Sequence, residues 1–444
     1  MVGFLPALCL GGCSGSARRL NLVIITLDTL RADVLGAYGD IGKLSPHIDA
    51  FAGEATVFEN AITTIGTTFP AHASLFTGLY PRRHRVRWSG DTLAEEFVTL
   101  AEILSRDGYQ TAAFVSMDAM LKRGGLDQGF TVVAKWDKMA TNYMYGGNEV
   151  NPKAIEWLAS RDADPFLLWL HYSETHSPYR LTTYAAEVFD RERYSGPLAR
   201  GAPTETFYAL GQDIPWTETE KMAVRALYEG EVQMLDRLVG EMMDLFRQDG
   251  LLENTLFIIA ADHGQALGEH DLVGHGFVLW QPVIHVPLMV RDPRTPTPRR
   301  VTTRVSLVDI LPTTLDLLNL PPLEETDGRS FAASLEGKPL PERILFAEAR
   351  ELALNKRWSA AEAGGIAVFD GLIKAIWKPG EFRVFDLERD AGELAGPAPT
   401  VPELKRAELF GLARGYHRKS TVESKQDGVN AELEQELRAL GYIE

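Results

Sequence analysis

The stretch LNLVIITLD (residues 20–28) decides the fold. Its apolar residues run together instead of alternating with polar ones, so neither face can look onto water. That is the pattern of a strand buried on both sides of a sheet. Similar runs recur at TAAFVS (111–116), PFLLWLH (165–171), TLFIIAAD (255–262) and VPLMV (286–290). Helical stretches lie between them. In SPHIDAFAGEA (45–55), Ser45 suits the N-cap and Pro46 the first helical position. TLAEEFVTLAEILSRDG (92–108) predicts a helix closed by a glycine. The long segment 217–250 opens with Thr217 and Glu220 spaced as a capping box. Buried strands alternating with helices mean an α/β fold, with a mostly parallel sheet flanked by helices.

After about residue 320 the texture changes. PPLEETDGRS (321–330) reads as a turn-rich linker, and RILFAEA, GIAVFDGLIKAIWK and FRVFDL as short antiparallel strands. NAELEQELRALGYIE (430–444) predicts a closing helix. The chain thus divides into a leader (1–19), a main domain (20–320) and a smaller sheet-plus-helix C-terminal subdomain (321–444). At 444 residues, 45% hydrophobic and 24% charged, it can bury a large core. With 61 acidic and 45 basic residues the formal charge is −16, which argues against a nucleic-acid binder. The arginines of PRRHRVR (81–87) and RDPRTPTPRR (291–300) read as a solvated rim.

Both cysteines, Cys9 and Cys13, precede the folded body, which therefore has neither a disulfide nor a cysteine metal site. MVGFLPALCLGGC (1–13) is apolar, too short to span a bilayer, and reads as an export signal. Leu10-Gly11-Gly12-Cys13 resembles a bacterial lipobox, with Cys13 as the lipidated residue, although no Lys or Arg precedes Arg18. The expected location is extracytoplasmic, periplasmic in a bacterium, with membrane contact only through that anchor.

In open parallel sheets, functional groups gather at the carboxyl ends of strands. The first run ends in Asp28. The third ends in His171 and continues into YSETHSPY (172–179), which carries His176; the fourth ends in Asp262-His263-Gly264. Carboxylates and imidazoles converging on one edge are the makings of a metal site. In TTIGTTFPAHASLFTGLYPRRH (63–84), Pro70 suits a first helical turn and Gly78 a helix end. Thr68 would then lie just ahead of a helix N-terminus, where N–H groups and the dipole favour an anion. On these residues alone Thr68 is equally an N-cap or a metal-activated nucleophile.

NLVIITLDTLRADVLGAYG (21–39), SPHIDAFAGEATVFENAITT (45–64), TFPAHASLFTGLYPRRH (68–84), NTLFIIAADHGQALGEH (254–270) and SLVDILPTTLDLL (306–318) together resemble the sulfatase family of the alkaline phosphatase superfamily. The resemblance implies that Asp28, Asp262 and His263 bind a metal. It places Thr68 where sulfatases carry the Cys or Ser that becomes formylglycine. His176 matches a histidine near the leaving group, and His275 a residue that contacts the substrate anion. Three departures matter. Thr29 stands where a second aspartate is frequent, His72 replaces the signature arginine, and a threonine cannot become formylglycine by the known route. Threonine in this slot resembles the nucleotide pyrophosphatase/phosphodiesterases and headgroup phosphotransferases, which attack phosphorus.

The expected site is therefore catalytic Thr68, His176 and His275, with Asp28, Thr68, Asp262 and His263 as metal ligands. One divalent ion is expected, Zn or Mn ahead of Ca or Mg because an imidazole is among the donors. Asp236 is followed four residues later by Gly240, not by the histidine of a second-metal motif, while His270, His275 and His285 remain available. The expected activity is hydrolysis of phosphate mono- or diesters of a small anionic substrate. The alternatives are sulfate-ester hydrolysis without formylglycine, or a non-catalytic binding protein on the same scaffold. Trp136, Tyr143, Tyr145, Tyr184 and Tyr194 are candidates for a substrate wall or for packing.

Overall fold

The computed structural model describes residues 19–39, 44–117, 120, 121, 123–134, 147–211, 213–295, 297–350, 364–396, 398 and 400–420. Cys13, Trp136, Tyr143, Tyr145 and the stretch 430–444 lie outside them. The central sheet comprises β1 (Asn21–Leu27), β2 (Thr56–Phe58), β3 (Gln110–Val115), β4 (Val132–Val133), β5 (Phe166–Tyr172), β6 (Thr255–Ala261), β7 (Leu288–Arg291) and β8 (Arg299–Val301). Their spatial order is β8-β2-β7-β6-β1-β5-β3-β4.

Strands β4, β3, β5, β1 and β6 run parallel, while β7 is antiparallel to β6 and β2. The apolar run at 286–290 reads like the parallel strands but cannot be one. The loop after β6 leaves and re-enters at the same sheet edge, which forces the next strand to reverse. Every residue of β1 is buried, as a central strand covered on both faces requires.

The principal helices are α1 (Pro46–Ala52), α2 (Thr68–Thr77), α3 (Leu100–Arg106) and α4 (Glu218–Gln248). Alternation along β5 puts two of them on opposite faces. Phe166 meets Phe246 of α4, with centroids 6.5 Å apart, and Trp169 meets Phe76 of α2 at 4.7 Å. Thr217 caps α4 by accepting from the Glu220 N–H at 3.4 Å. Helix α3 is shorter than the 92–108 pattern predicts. Thr99 and Glu102 form a capping box there, and upstream the Leu93 N–H bonds to the Gly124 carbonyl at 2.8 Å.

The C-terminal part is a four-stranded antiparallel meander: β9 (Ile344–Ala349), β10 (Gly365–Asp370), β11 (Ile373–Lys378) and β12 (Glu381–Asp386). Helix α5 (Glu403–Ser420) buries Leu409, Ala413 and Tyr416 against Val368, Ala375 and Val384. The meander is tied to the main domain just upstream of α2, where the Glu348 N–H donates to the Thr64 carbonyl at 2.8 Å. Among the described residues no helix is long and apolar enough to cross a membrane.

Candidate active site and metal centre

Strand β1 lies between β5 and β6, with Leu27 level with Tyr172 on one side and Ala261 on the other. Asp28 and Asp262 therefore leave the sheet side by side. Both are fully buried, as are His263 and Thr68. Thr67, in an extended conformation, is the N-cap of α2, so Thr68 is the first residue inside the helix instead of the residue ahead of it. Gly78 closes the helix in the left-handed region at φ 67°, where a Cβ would be strained.

These elements bring four side chains together. Thr68 Oγ1 lies 3.2 Å from His263 Nε2 and 3.5 Å from Asp28 Oδ1. His263 Nε2 is 3.8 Å from Asp28 Oδ1 and 3.6 Å from Asp262 Oδ2. The Nδ1 of His263 faces the Gly264 carbonyl at 3.0 Å. A carbonyl only accepts, so Nδ1 carries the proton and Nε2 is the lone-pair nitrogen, the form that coordinates a metal. Burial holds this imidazole down to about 4.

Asp262 Oδ1 accepts N–H bonds from His263 at 2.7 Å and Thr29 at 3.2 Å. Thr29 reaches it from a left-handed conformation, φ 57°, that costs a β-branched residue about 1–3 kcal/mol. Its hydroxyl donates to the Asp28 carbonyl at 2.7 Å, and the Tyr228 hydroxyl holds the Thr29 carbonyl at 2.8 Å. That leaves Asp28 Oδ2 and Asp262 Oδ2 buried with no hydrogen-bond partner among the described residues. Burial first, and the Asp262 charge second, push Asp28 well above the usual carboxylate range; burial pushes Asp262 up as well. Two adjacent buried carboxylates with bare oxygens are costly without a compensating cation. Asp28, Asp262 and His263 bring donor atoms within 4.8 Å of one another, so the residues fit a divalent ion.

His72, His171 and Asp262 form a second such group. His72 is already engaged. Its Nδ1 lies 2.7 Å from the Thr68 carbonyl and its Nε2 3.0 Å from Thr26 Oγ1, which also receives the Trp169 indole N–H at 2.9 Å. Only one proton arrangement satisfies all three contacts: Nδ1–H donates to the carbonyl, and the Thr26 hydroxyl donates to Nε2. Burial lowers this imidazole, in keeping with its neutral form. His72 thus holds the backbone of Thr68 from one helical turn away, a spacing readable in the sequence although the role is not.

His176 and His275 lie beside the cluster. The His275 ring centroid is 4.5 Å from that of His263 and 4.9 Å from that of His176. His275 Nδ1 meets Gln265 Oε1 at 2.6 Å, and His176 Nδ1 meets the Ser177 carbonyl at 2.6 Å. Burial lowers His176 to about 4 and His275 well below its ordinary value. Gln265 carries no sequence signal of its own; its amide also donates to the Tyr179 hydroxyl at 3.0 Å.

Other candidates are engaged elsewhere. Asp236 accepts the His47 and Ile48 N–H groups of α1 at 3.2 and 2.8 Å. His285 Nε2 meets the Glu59 carbonyl at 2.8 Å, and His270 stacks on Trp280 with centroids 3.8 Å apart. Tyr184 bonds to Glu229 at 2.8 Å, and Tyr194 packs on Phe189 at 4.8 Å.

A family model described as Sulfatase matches residues 20–320. Among similar proteins, Arylsulfatase K of Canis lupus familiaris is 24% identical, over 89% of this chain and 82% of that protein. Delta 4,5-hexuronate-2-O-sulfatase of Bacteroides thetaiotaomicron is 24% identical over 75% of each. The phosphonate monoester hydrolase of Agrobacterium radiobacter superposes with a TM-score of 0.72 at 23% identity, covering 90% of this chain and 94% of that one. The family match and these relatives mark the chain as a hydrolase acting on sulfuric or phosphoric esters. The chain belongs to the sulfatase family.

Proposed function

We propose that the chain is a metal-dependent hydrolase of phosphate mono- or diesters with Thr68 as its nucleophile. One observation carries this reading. The residue at the head of α2 is a threonine, and its hydroxyl lies 3.2 Å from His263 Nε2 and 3.5 Å from Asp28 Oδ1. Asp28, Thr68, Asp262 and His263 would hold one ion, Zn or Mn by donor chemistry. When bound, the ion supplies positive charge that favours ionised Thr68 and polarises the ester.

Thr68 Oγ1 attacks phosphorus in line, the bond to the leaving alcohol breaks, and a threonine-phosphoryl ester forms. His176 and His275, neutral at rest, enter as proton acceptors. Each can take the proton released from Thr68 and return it to the leaving oxygen. Water then cleaves the Thr68 ester and restores the hydroxyl. Most of the rate comes from positioning and charge stabilisation.

Sulfate-ester hydrolysis without formylglycine is the second reading, favoured by relatives named as sulfatases. We also propose export and lipid anchoring through Cys13, which loss of fatty-acid labelling in Cys13→Ala cells would support and retained labelling would contradict.

The test of function is paired hydrolysis by the whole chain, metal-stripped and reloaded with Mn or Zn, beside Thr68→Ala. The substrates are an aryl phosphate monoester, a diester and a sulfate. Phosphoester turnover lost in Thr68→Ala supports the first reading; sulfate turnover alone supports the second.

A further inference from the structure

His171, the penultimate residue of β5, is fully buried, and the reading above gives it no part. Its Nδ1 lies 2.9 Å from Ser116 Oγ, at the end of the neighbouring strand β3. Its Nε2 lies 3.9 Å from Asp28 Oδ2. Neither of these last two atoms has a hydrogen-bond partner among the described residues.

With Nδ1–H donated to Ser116 Oγ, Nε2 is a lone pair, and two buried acceptors face each other with nothing to satisfy either. In the opposite tautomer, Nε2–H would stand 3.9 Å from the carboxylate oxygen, too far for a hydrogen bond. Neither tautomer satisfies Asp28 Oδ2, but a cation does. A separation of 3.9 Å is within reach of one ion bonded to both atoms at about 2.0–2.2 Å. A hydrogen-bond acceptor behind the far ring nitrogen, fixing the tautomer, is the usual arrangement of a coordinating histidine, and Ser116 Oγ supplies it here. His72 does not compete for this role, since its Nδ1–H is committed to the Thr68 carbonyl.

We propose that His171 is a ligand of the metal centre, binding through Nε2 opposite Asp28 Oδ2, with Ser116 holding its tautomer. The proposal rests on the metal centre of the preceding reading. It enlarges the donor set by a second imidazole, which shifts the preference further from Ca and Mg toward Zn.

The test is titration of the metal-stripped whole chain with Co²⁺, reading affinity and the visible absorption of the bound ion. The proteins are wild type, His171→Ala, His171→Gln, Ser116→Ala and Asp262→Asn, each checked for native circular dichroism. Wild type is expected to bind Co²⁺ with a defined visible spectrum. Both His171 variants should bind at least about tenfold more weakly with altered bands, and Ser116→Ala about tenfold more weakly. If His171→Ala does not fold, His171→Gln decides. Folded His171 variants that match wild type in affinity and spectrum, while Asp262→Asn loses the ion, overturn the role of His171 alone. Asp262→Asn binding like wild type overturns the metal centre itself, and this proposal with it.

Discussion

The hydroxyl of Thr68 stands 3.2 Å from Nε2 of His263, at the point where the head of α2 meets the carboxyl end of β6. Thr68→Ser keeps a hydroxyl at that point, and Thr68→Ala removes it. The serine variant is expected to lose no more than about tenfold in kcat/KM, and the alanine variant at least about 10³-fold. Steady-state kinetics on the metal-loaded proteins measure both. An alanine variant within tenfold of wild type rules Thr68 out as nucleophile.

Gly264 follows His263 where the chain passes under the 282–283 backbone. A Cβ there would lie 2.1 Å from the Pro282 carbonyl oxygen, and backbone cannot move aside as a side-chain tip can. Two bonds pin this crossing: Gly264 N–H to the Val283 carbonyl at 2.8 Å, and Gln265 N–H to the Pro282 carbonyl at 2.9 Å. Gly264→Ala is therefore expected to displace Asp262 and His263, lowering kcat/KM by about 10²-fold and weakening metal binding. Calorimetric metal titration beside kinetics tests this, and wild-type values in both would contradict it.

His72 fixes the Thr68 backbone through a chain that begins at the Trp169 indole. Without the ring the nucleophile loses a restraint but keeps its neighbours. His72→Ala should reduce kcat by about 10–100-fold with little change in KM. An unchanged kcat in a folded His72→Ala protein would mean that the contact serves stability only.

His84 provides an acid-sensitive element away from the metal cluster. Its Nδ1 accepts the Val86 N–H at 3.1 Å, so Nε2 carries the proton toward Ser74 Oγ at 2.9 Å. Burial lowers the folded ring to about 3, against 6.5 when free. Between those values the unfolded chain holds the extra proton, so stability is whole above pH 6.5 and declines as pH falls toward 3. His84→Gln keeps a donor to Ser74 but does not titrate. Between about pH 6 and 4 it should remove about 1.4 kcal/mol per pH unit from the slope of unfolding free energy. Urea unfolding at several pH values measures that slope, and identical slopes would contradict the assignment.

Asp28 and Asp262 are legible in the sequence because each directly follows a long apolar run, His263 because it comes next after Asp262, and the ends of parallel strands share an edge. Thr68 is legible because Pro70 and Gly78 bracket its helix. The strand order that makes β1 the neighbour of both β5 and β6 is set by non-local pairing, which periodicity does not encode. Asp236 looks like an available ligand until α1 packs on α4 and takes both its oxygens. The part of the 92–108 pattern before Thr99 stays out of α3 because a capping box starts the helix late. The antiparallel β7 follows from where its loop re-enters the sheet, which its apolar sequence cannot signal. His72 is legible as a departure from the sulfatase signature and His171 as a strand-end imidazole, but the atoms they meet, the Thr68 carbonyl and Asp28 Oδ2, are set by the folded packing.

The most direct measurement is to quench the metal-loaded whole chain during turnover of an aryl phosphate labelled with radioactive phosphorus, and to locate the label by peptide mapping. The label is expected on the peptide containing Thr68, as phosphothreonine, and absent from Thr68→Ala. Turnover without label on that peptide, under quenching fast enough to catch a burst of released phenol, would contradict a threonine-phosphoryl intermediate.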